Sequence, residues 1–99
     1  MIYEVTTIHI HPGQQADFEA AIKQGADTII AKSKGFLGYS VRRAIESPEQ
    51  YQLQIKWETL EDHMVGFRES PAFPAWRAII SPFFASAPTT VHVEEVSRG

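Results

Sequence analysis

The 99-residue sequence predicts an α+β fold: a four-stranded antiparallel sheet with helices packed on one of its faces. Three observations predict it. Runs rich in β-branched residues lie at both ends, residues 51–58 alternate with a strict period of two, and helical stripes lie between the predicted strands. The first strand spans residues 2–10, Ile-Tyr-Glu-Val-Thr-Thr-Ile-His-Ile, and stops at His11-Pro12-Gly13 because proline cannot continue a ladder. From Gln14 to Lys34, Phe18, Ala21, Ile22, Gly25 and Ile29 recur at three- and four-residue steps, the stripe of an amphipathic helix. Asp17 and Glu19 near its start and Lys32 and Lys34 near its end suit the helix dipole, and Gly35 supplies the stop. A strand from about Leu37 to Glu46, a turn at Ser47-Pro48-Glu49-Gln50 and a strand at 51–58 form a hairpin. In that third strand Tyr51, Leu53, Ile55 and Trp57 take one face and Gln52, Gln54, Lys56 and Glu58 the other.

Thr59-Leu60-Glu61-Asp62 has the pattern of a capping box, so a short helix is expected there, burying Leu60, Met64 and Phe67. Ser70-Pro71 starts a second helical piece with a stripe of Phe73, Trp76, Ile80 and Phe83, limited in length by Pro74 and Pro82. Residues 88–96 close the chain as a last strand. The order β-α-β-β-α-β, with the second helical region broken in two, is the split-βαβ, ferredoxin-like sandwich, a single domain over residues 1–99. Such a sheet leaves one face bare. A second copy related by a two-fold axis is the simplest cover, so a homodimer is expected.

Composition narrows the function. Nine Lys and Arg against twelve Asp and Glu give a net charge of -3, and the longest basic run is Arg42-Arg43, so a nucleic-acid partner is not expected. Cysteine is absent, which excludes disulfides, thiolate nucleophiles and Cys-ligated metal centres. No apolar stretch approaches the ~20 residues that span a bilayer, and the start lacks a basic n-region, so a soluble cytoplasmic protein without membrane association is expected. No phosphate-binding glycine loop, nucleotide fingerprint or Ser-His-Asp pattern is present.

The run Trp57-Glu58-Thr59-Leu60-Glu61-Asp62-His63, its continuation Phe67-Arg68-Glu69-Ser70-Pro71-Ala72-Phe73 and the ending Pro88-Thr89-Thr90-Val91-His92 carry a resemblance. Together with the Pro12-Gly13 turn, they resemble the antibiotic biosynthesis monooxygenase (ABM) domain over nearly the whole chain. That resemblance implies a dimeric α/β barrel of ferredoxin-like subunits. It also implies activities ranging from oxygenation of polycyclic phenols and quinols to haem degradation. The haem-degrading members use an Asn on the first strand and a Trp and a His in the broken helix. Here the first strand has Thr6 and Thr7, and the matching helical positions are Gly66 and Trp76, which disfavours haem degradation.

His63 stands three residues after Leu60 and four before Phe67, on the expected apolar face of its helix. It is either a core histidine tied to a backbone carbonyl or a base at the edge of a pocket, a task that suits a pKa near neutrality. Tyr39, Tyr51, Trp57, Phe67, Phe73, Trp76, Phe83 and Phe84 are eight of the eleven aromatics, all in the last two-thirds of the chain. Each is either packing or the wall of a cavity for a flat ligand. Arg42 and Arg43 face opposite ways; each is either a solvated or dimer-interface residue or a contact for an anionic substrate. His9, His11 and His92 are a conceivable metal set, but no carboxylate is placed to complete it and no metal is expected.

With no flavin, metal or thiol signature, the substrate itself must supply the electrons. The expectation is a cofactor-independent monooxygenase that takes a small phenol, hydroquinone or polycycle and dioxygen. His63 is then the catalytic base, while Trp57, Trp76 and Phe67 form walls and Tyr39, Tyr51 and Arg42 supply polar contacts. The competing expectations are a non-catalytic module binding a small aromatic molecule and a purely structural dimer of the same fold.

Overall fold

In the computed structural model, which describes residues 1–99, β1 (Ile2–His9) leads through α1 (Gln15–Thr28) and a 3-10 turn (Ile30–Lys32) to β2 (Phe36–Arg43). The chain returns as β3 (Gln50–Trp57), passes through a π-helical segment (Asp62–Phe67) and α2 (Ala72–Ile80), and ends in β4 (Thr89–Val93). All three ladders are antiparallel and the strand order is β2-β3-β1-β4, the ferredoxin-like βαββαβ arrangement. No helix is long and apolar enough to cross a membrane.

Alternation decides which side chains meet the helices. Tyr51, Leu53, Ile55 and Trp57 are buried on the inner face of β3, opposite Ile8, Thr6, Glu4 and Ile2 of β1. Against them lie Phe18, Ile22, Ala26 and Ile30 from the first helical region and Trp76 and Ile80 from α2. The outer face carries Tyr3, Val5, Thr7 and His9 beside Gln50, Gln52, Gln54 and Lys56.

Gly25 is where α1 and α2 touch. A β-carbon there would stand 2.9 Å from Cζ3 of Trp76, so only glycine lets the indole lie flat against the helix. Gly35, at φ +84, supplies the left-handed residue that the turn into β2 requires.

Several boundaries differ from the sequence expectation, among them the last strand, which spans Thr89–Val93 rather than 88–96. The first helix loosens into a 3-10 turn after Thr28, and Ile30 rather than Ile29 reaches the core. β2 stops at Arg43, and the connection to β3 begins with Ala44 N–H donating to the carbonyl of Gln50 at 2.9 Å. The largest difference lies at residues 60–67, where Leu60 (47% exposed) and Met64 (37% exposed) are outside the core, while His63 and Phe67 face inward as expected. The Thr59 hydroxyl does cap this segment, accepting from Asp62 N–H at 3.1 Å. The winding, however, is wider than an α-helix, with Arg68 N–H donating to the carbonyl of His63 at 3.0 Å, five residues back. The extra residue per turn rotates His63 and Phe67 inward together and turns the Leu60–Met64 edge to solvent.

Candidate active site beneath the second helix

Glu4 is the one carboxylate buried among the apolar side chains, on the inner face of β1 between Ile2 and Thr6. A buried carboxylate is costly unless donors surround it. Here Trp57 Nε1–H donates to Oε1 at 3.0 Å and the Thr6 hydroxyl donates to Oε2 at 3.2 Å. Thr6 is in turn 2.8 Å from the Thr90 hydroxyl on β4. Because Thr6 gives its proton to Glu4, Thr90 must give its own to Thr6.

His63 comes down on the same carboxylate from the π-helical segment. Its Nε2 stands 3.1 Å from Glu4 Oε1, and its Nδ1 is hydrogen-bonded to Nε2 of His92 at 2.7 Å. The imidazole lies nearly parallel to Trp57, with ring centroids 5.5 Å apart and planes at 21°, and Phe67 continues the stack at 6.3 Å. The result is a row, Glu4–His63–His92, that crosses from β1 to β4. β4 is the sheet's edge strand, where His92 is half-buried.

His63 Nδ1 and His92 Nε2 share one proton, so one ring donates and the other accepts. The 3.1 Å approach of His63 Nε2 to Glu4 Oε1 is a close contact between the imidazole and the carboxylate rather than an aligned hydrogen bond. Burial, with the neighbouring His92 and Arg68, lowers the His63 pKa to about 4, so the ring is neutral near pH 7. Burial also lowers the His92 pKa and raises that of Glu4, the latter opposed by the bonds from Trp57 and Thr6. A buried carboxyl whose pKa is raised, with two neutral imidazoles beside it, is suited to accept and return a proton. The three groups form a line rather than converging on one point, a poor arrangement for a shared metal ion.

A cavity of about 300 Å³ opens over this row, between the sheet and α2. Glu4, Thr6 and Thr90 form its polar floor, with His63 beside them. Phe73 and Trp76 of α2 roof it together with Phe84, and Arg68 and Arg77 stand on its exposed side. This is the composition of a small-ligand site: flat apolar walls with a few converging polar groups.

The family model described as antibiotic biosynthesis monooxygenase matches residues 1–79. The chain belongs to that family.

The uncharacterized protein YczJ of Bacillus subtilis strain 168 is 38% identical over 96 residues, covering 97% of this chain and all of that protein. A crystal structure from Bordetella bronchiseptica, designated by the same family name, superposes with a TM-score of 0.91 at 38% identity over 97% of each chain. SnoaB of Streptomyces nogalater, described as a cofactor-independent oxygenase, shares the fold at 15% identity, with a TM-score of 0.83 over 98% of this chain and 94% of its own.

The ABM fold brings only some of the sequence-predicted site residues together. His63 and Trp76 line the cavity. Trp57 and Phe67 lie one layer behind it, where Trp57 holds Glu4 and both rings stack with His63. Tyr39 and Tyr51 are elsewhere, on a wider depression of about 680 Å³ between α1 and β2. Their hydroxyls are already committed: Tyr39 donates to Asp27 at 2.8 Å and Tyr51 to Glu19, which also pairs with Arg43 at 2.8 Å. Burial and the Glu19 bond push the Tyr51 phenol up to about 12. These tyrosines tie α1 to the sheet and do not face His63.

Arg42 is exposed and registers with Gln52 on the outer face of the sheet, away from the cavity. His9 is on that outer face while His92 faces inward opposite Glu4, so the two do not share a site. The sequence reading missed Glu4, Thr6, Thr90, Arg68 and Arg77. For Glu4 the signal was available: the period-two alternation of β1 puts it in line with Ile2, Thr6 and Ile8.

Proposed function

We propose that this ABM protein is a cofactor-independent monooxygenase that oxidises a small phenol or hydroquinone in the cavity over Glu4, working as a homodimer. The observation that carries the proposal is the Glu4–His63–His92 row set against the floor of an aromatic-walled pocket. SnoaB, described as a cofactor-independent oxygenase, supports the reading at the level of fold.

The chemistry needs a base and a dry, flat cavity. Glu4 takes the phenolic proton, with the hydrogen-bonded His63–His92 pair set against the carboxylate at 3.1 Å. The resulting phenolate carries electron density at its ortho and para carbons and reduces dioxygen at one that still bears hydrogen, which is the ortho carbon in a hydroquinone, forming a C–O bond and a hydroperoxide. The same groups remove the C–H proton from that carbon and protonate the departing oxygen. Phenol and dioxygen thus give quinone and water, with one atom of dioxygen in each product and all four electrons from the substrate. Phe73 and Trp76 hold the ring flat and keep water from the anion.

Oxygen uptake with naphthols and hydroquinones, compared with buffer, tests this. Glu4→Gln keeps the shape but removes the base, and is expected to lower the rate by at least about 100-fold. His63→Gln breaks the row and is expected to lower it less, because Glu4 remains. No uptake with any of these compounds, or equal rates in wild type and Glu4→Gln, would overturn the proposal. Ligand binding without uptake would favour a non-catalytic binding module.

A further inference from the structure

We infer that the cavity selects an aromatic carboxylate, gripping its acid group with Arg68 and Arg77 while the ring hydroxyl points at Glu4. The inference builds on the reading of this cavity as the substrate site and names the kind of molecule that enters it.

Five arginines are present, and their partners differ. Arg43 is paired with Glu19 and Arg98 with Glu95, each by its guanidinium. Arg68 and Arg77 both line the cavity, and neither has a carboxylate within ion-pairing distance. Each instead lies over the face of Phe73, at 5.4 Å for Arg68 and 5.9 Å for Arg77, and Arg77 also covers Phe84 at 5.5 Å. Stacking holds the plane of a guanidinium and leaves its N–H edge free to bond.

The cavity is therefore polarised. Two cations stand on the solvent side and one carboxylate lies on the floor, 7% exposed and already holding Trp57 and Thr6. A neutral phenol satisfies only the floor. A ring carrying a carboxylate at one end and a hydroxyl at the other satisfies both ends, and a planar carboxylate matches the donor geometry of guanidinium. A ligand turned the other way would set its carboxylate against Glu4, so the same polarity fixes the orientation in which the hydroxyl meets the base.

Titration calorimetry under anaerobic conditions tests the inference without turnover, using 6-hydroxy-2-naphthoate and its methyl ester as matched probes. The acid is expected to bind about tenfold or more tightly than the ester, with the gap narrowing as salt rises. Arg68→Gln and Arg77→Gln should each weaken acid binding by about tenfold and leave the ester unchanged, and the double variant should erase the preference. Thermal melting confirms that each variant folds. Equal binding of acid and ester, absence of binding by both, or a preference that survives in the double variant would overturn the inference. The outcomes separate from those of the oxygenase proposal. Acid preference without oxygen uptake keeps this inference and removes the other. Oxidation of uncharged hydroquinones without acid preference does the reverse.

Discussion

At the scale of single residues, the site turns on keeping His63 neutral in a buried position. Its pKa of about 4 in the folded chain lies below its ordinary value of 6.5, so between these limits the unfolded chain binds more protons. Stability is therefore full above pH 6.5, falls as the pH drops through that window, and levels off below about 4; the loss is roughly 3 kcal/mol for this group. His92, also lowered, acts in the same direction. Glu4, whose pKa is raised, acts in the opposite one, because the folded state gains relative stability as that carboxyl is protonated. Urea titrations at pH 7, 5.5 and 4.5 should show a falling midpoint in wild type, a flatter response in His63→Gln and a steeper one in Glu4→Gln. A midpoint in wild type that does not move between pH 7 and 4.5 would contradict the assigned burial. His63 could be singled out in the sequence because an ionisable residue on an apolar stripe is conspicuous. Glu4 was hidden because one acid in a β-branched run resembles an ordinary exposed strand residue until the register shows which face it takes.

At the scale of elements, the α1–α2 contact and the wide turn at Asp62–Phe67 position the roof and the imidazole. Gly25→Ala isolates the first. In an open helix this change is favourable by up to about 1 kcal/mol, but here the new methyl meets the Trp76 ring at 2.9 Å. The expected outcome is destabilisation of roughly 1–3 kcal/mol, with an altered Trp76 emission as the indole is pushed into the cavity. A melting temperature above that of wild type would show that the contact has slack. The stripe of α2 and the alternation of β3 were legible because each follows one period over several residues. The π-helical segment was not, because its capping signal is shared with an α-helix and nothing in Leu60-Glu61-Asp62-His63 marks a change of pitch. One added residue per turn was enough to turn Leu60 and Met64 away from the face that His63 and Phe67 keep.

At the scale of the whole molecule, the sheet presents its outer face uncovered. Val5 registers with Val91 and Tyr3 with Val93, and the two valines of β4 are 57% and 45% exposed. These rows are the surface through which a second copy is proposed to pair. Sedimentation of wild type should give about twice the 11.1 kDa chain mass. Val91→Lys with Val93→Lys should give the single chain, since charge at the centre of an apolar contact is costly to desolvate. Wild type that sediments as a single chain at high concentration would remove the dimer. The topology was legible from the element order alone, because a helix between strands forces a crossover and a short turn forces a hairpin. What the order could not supply was where the tyrosines would be spent, since α1 claims both hydroxyls for its own anchorage.

Glu4 belongs to the first strand and His92 to the last, neighbours in the sheet but separated by almost the full length of the polypeptide. A nascent chain emerging from the ribosome holds Trp57, His63 and most of the hydrophobic interior well before it can offer the second imidazole. The pair that His63 forms with His92 is therefore completed only after β4 has docked along β1, later than the contacts that bury Trp57 and Phe67.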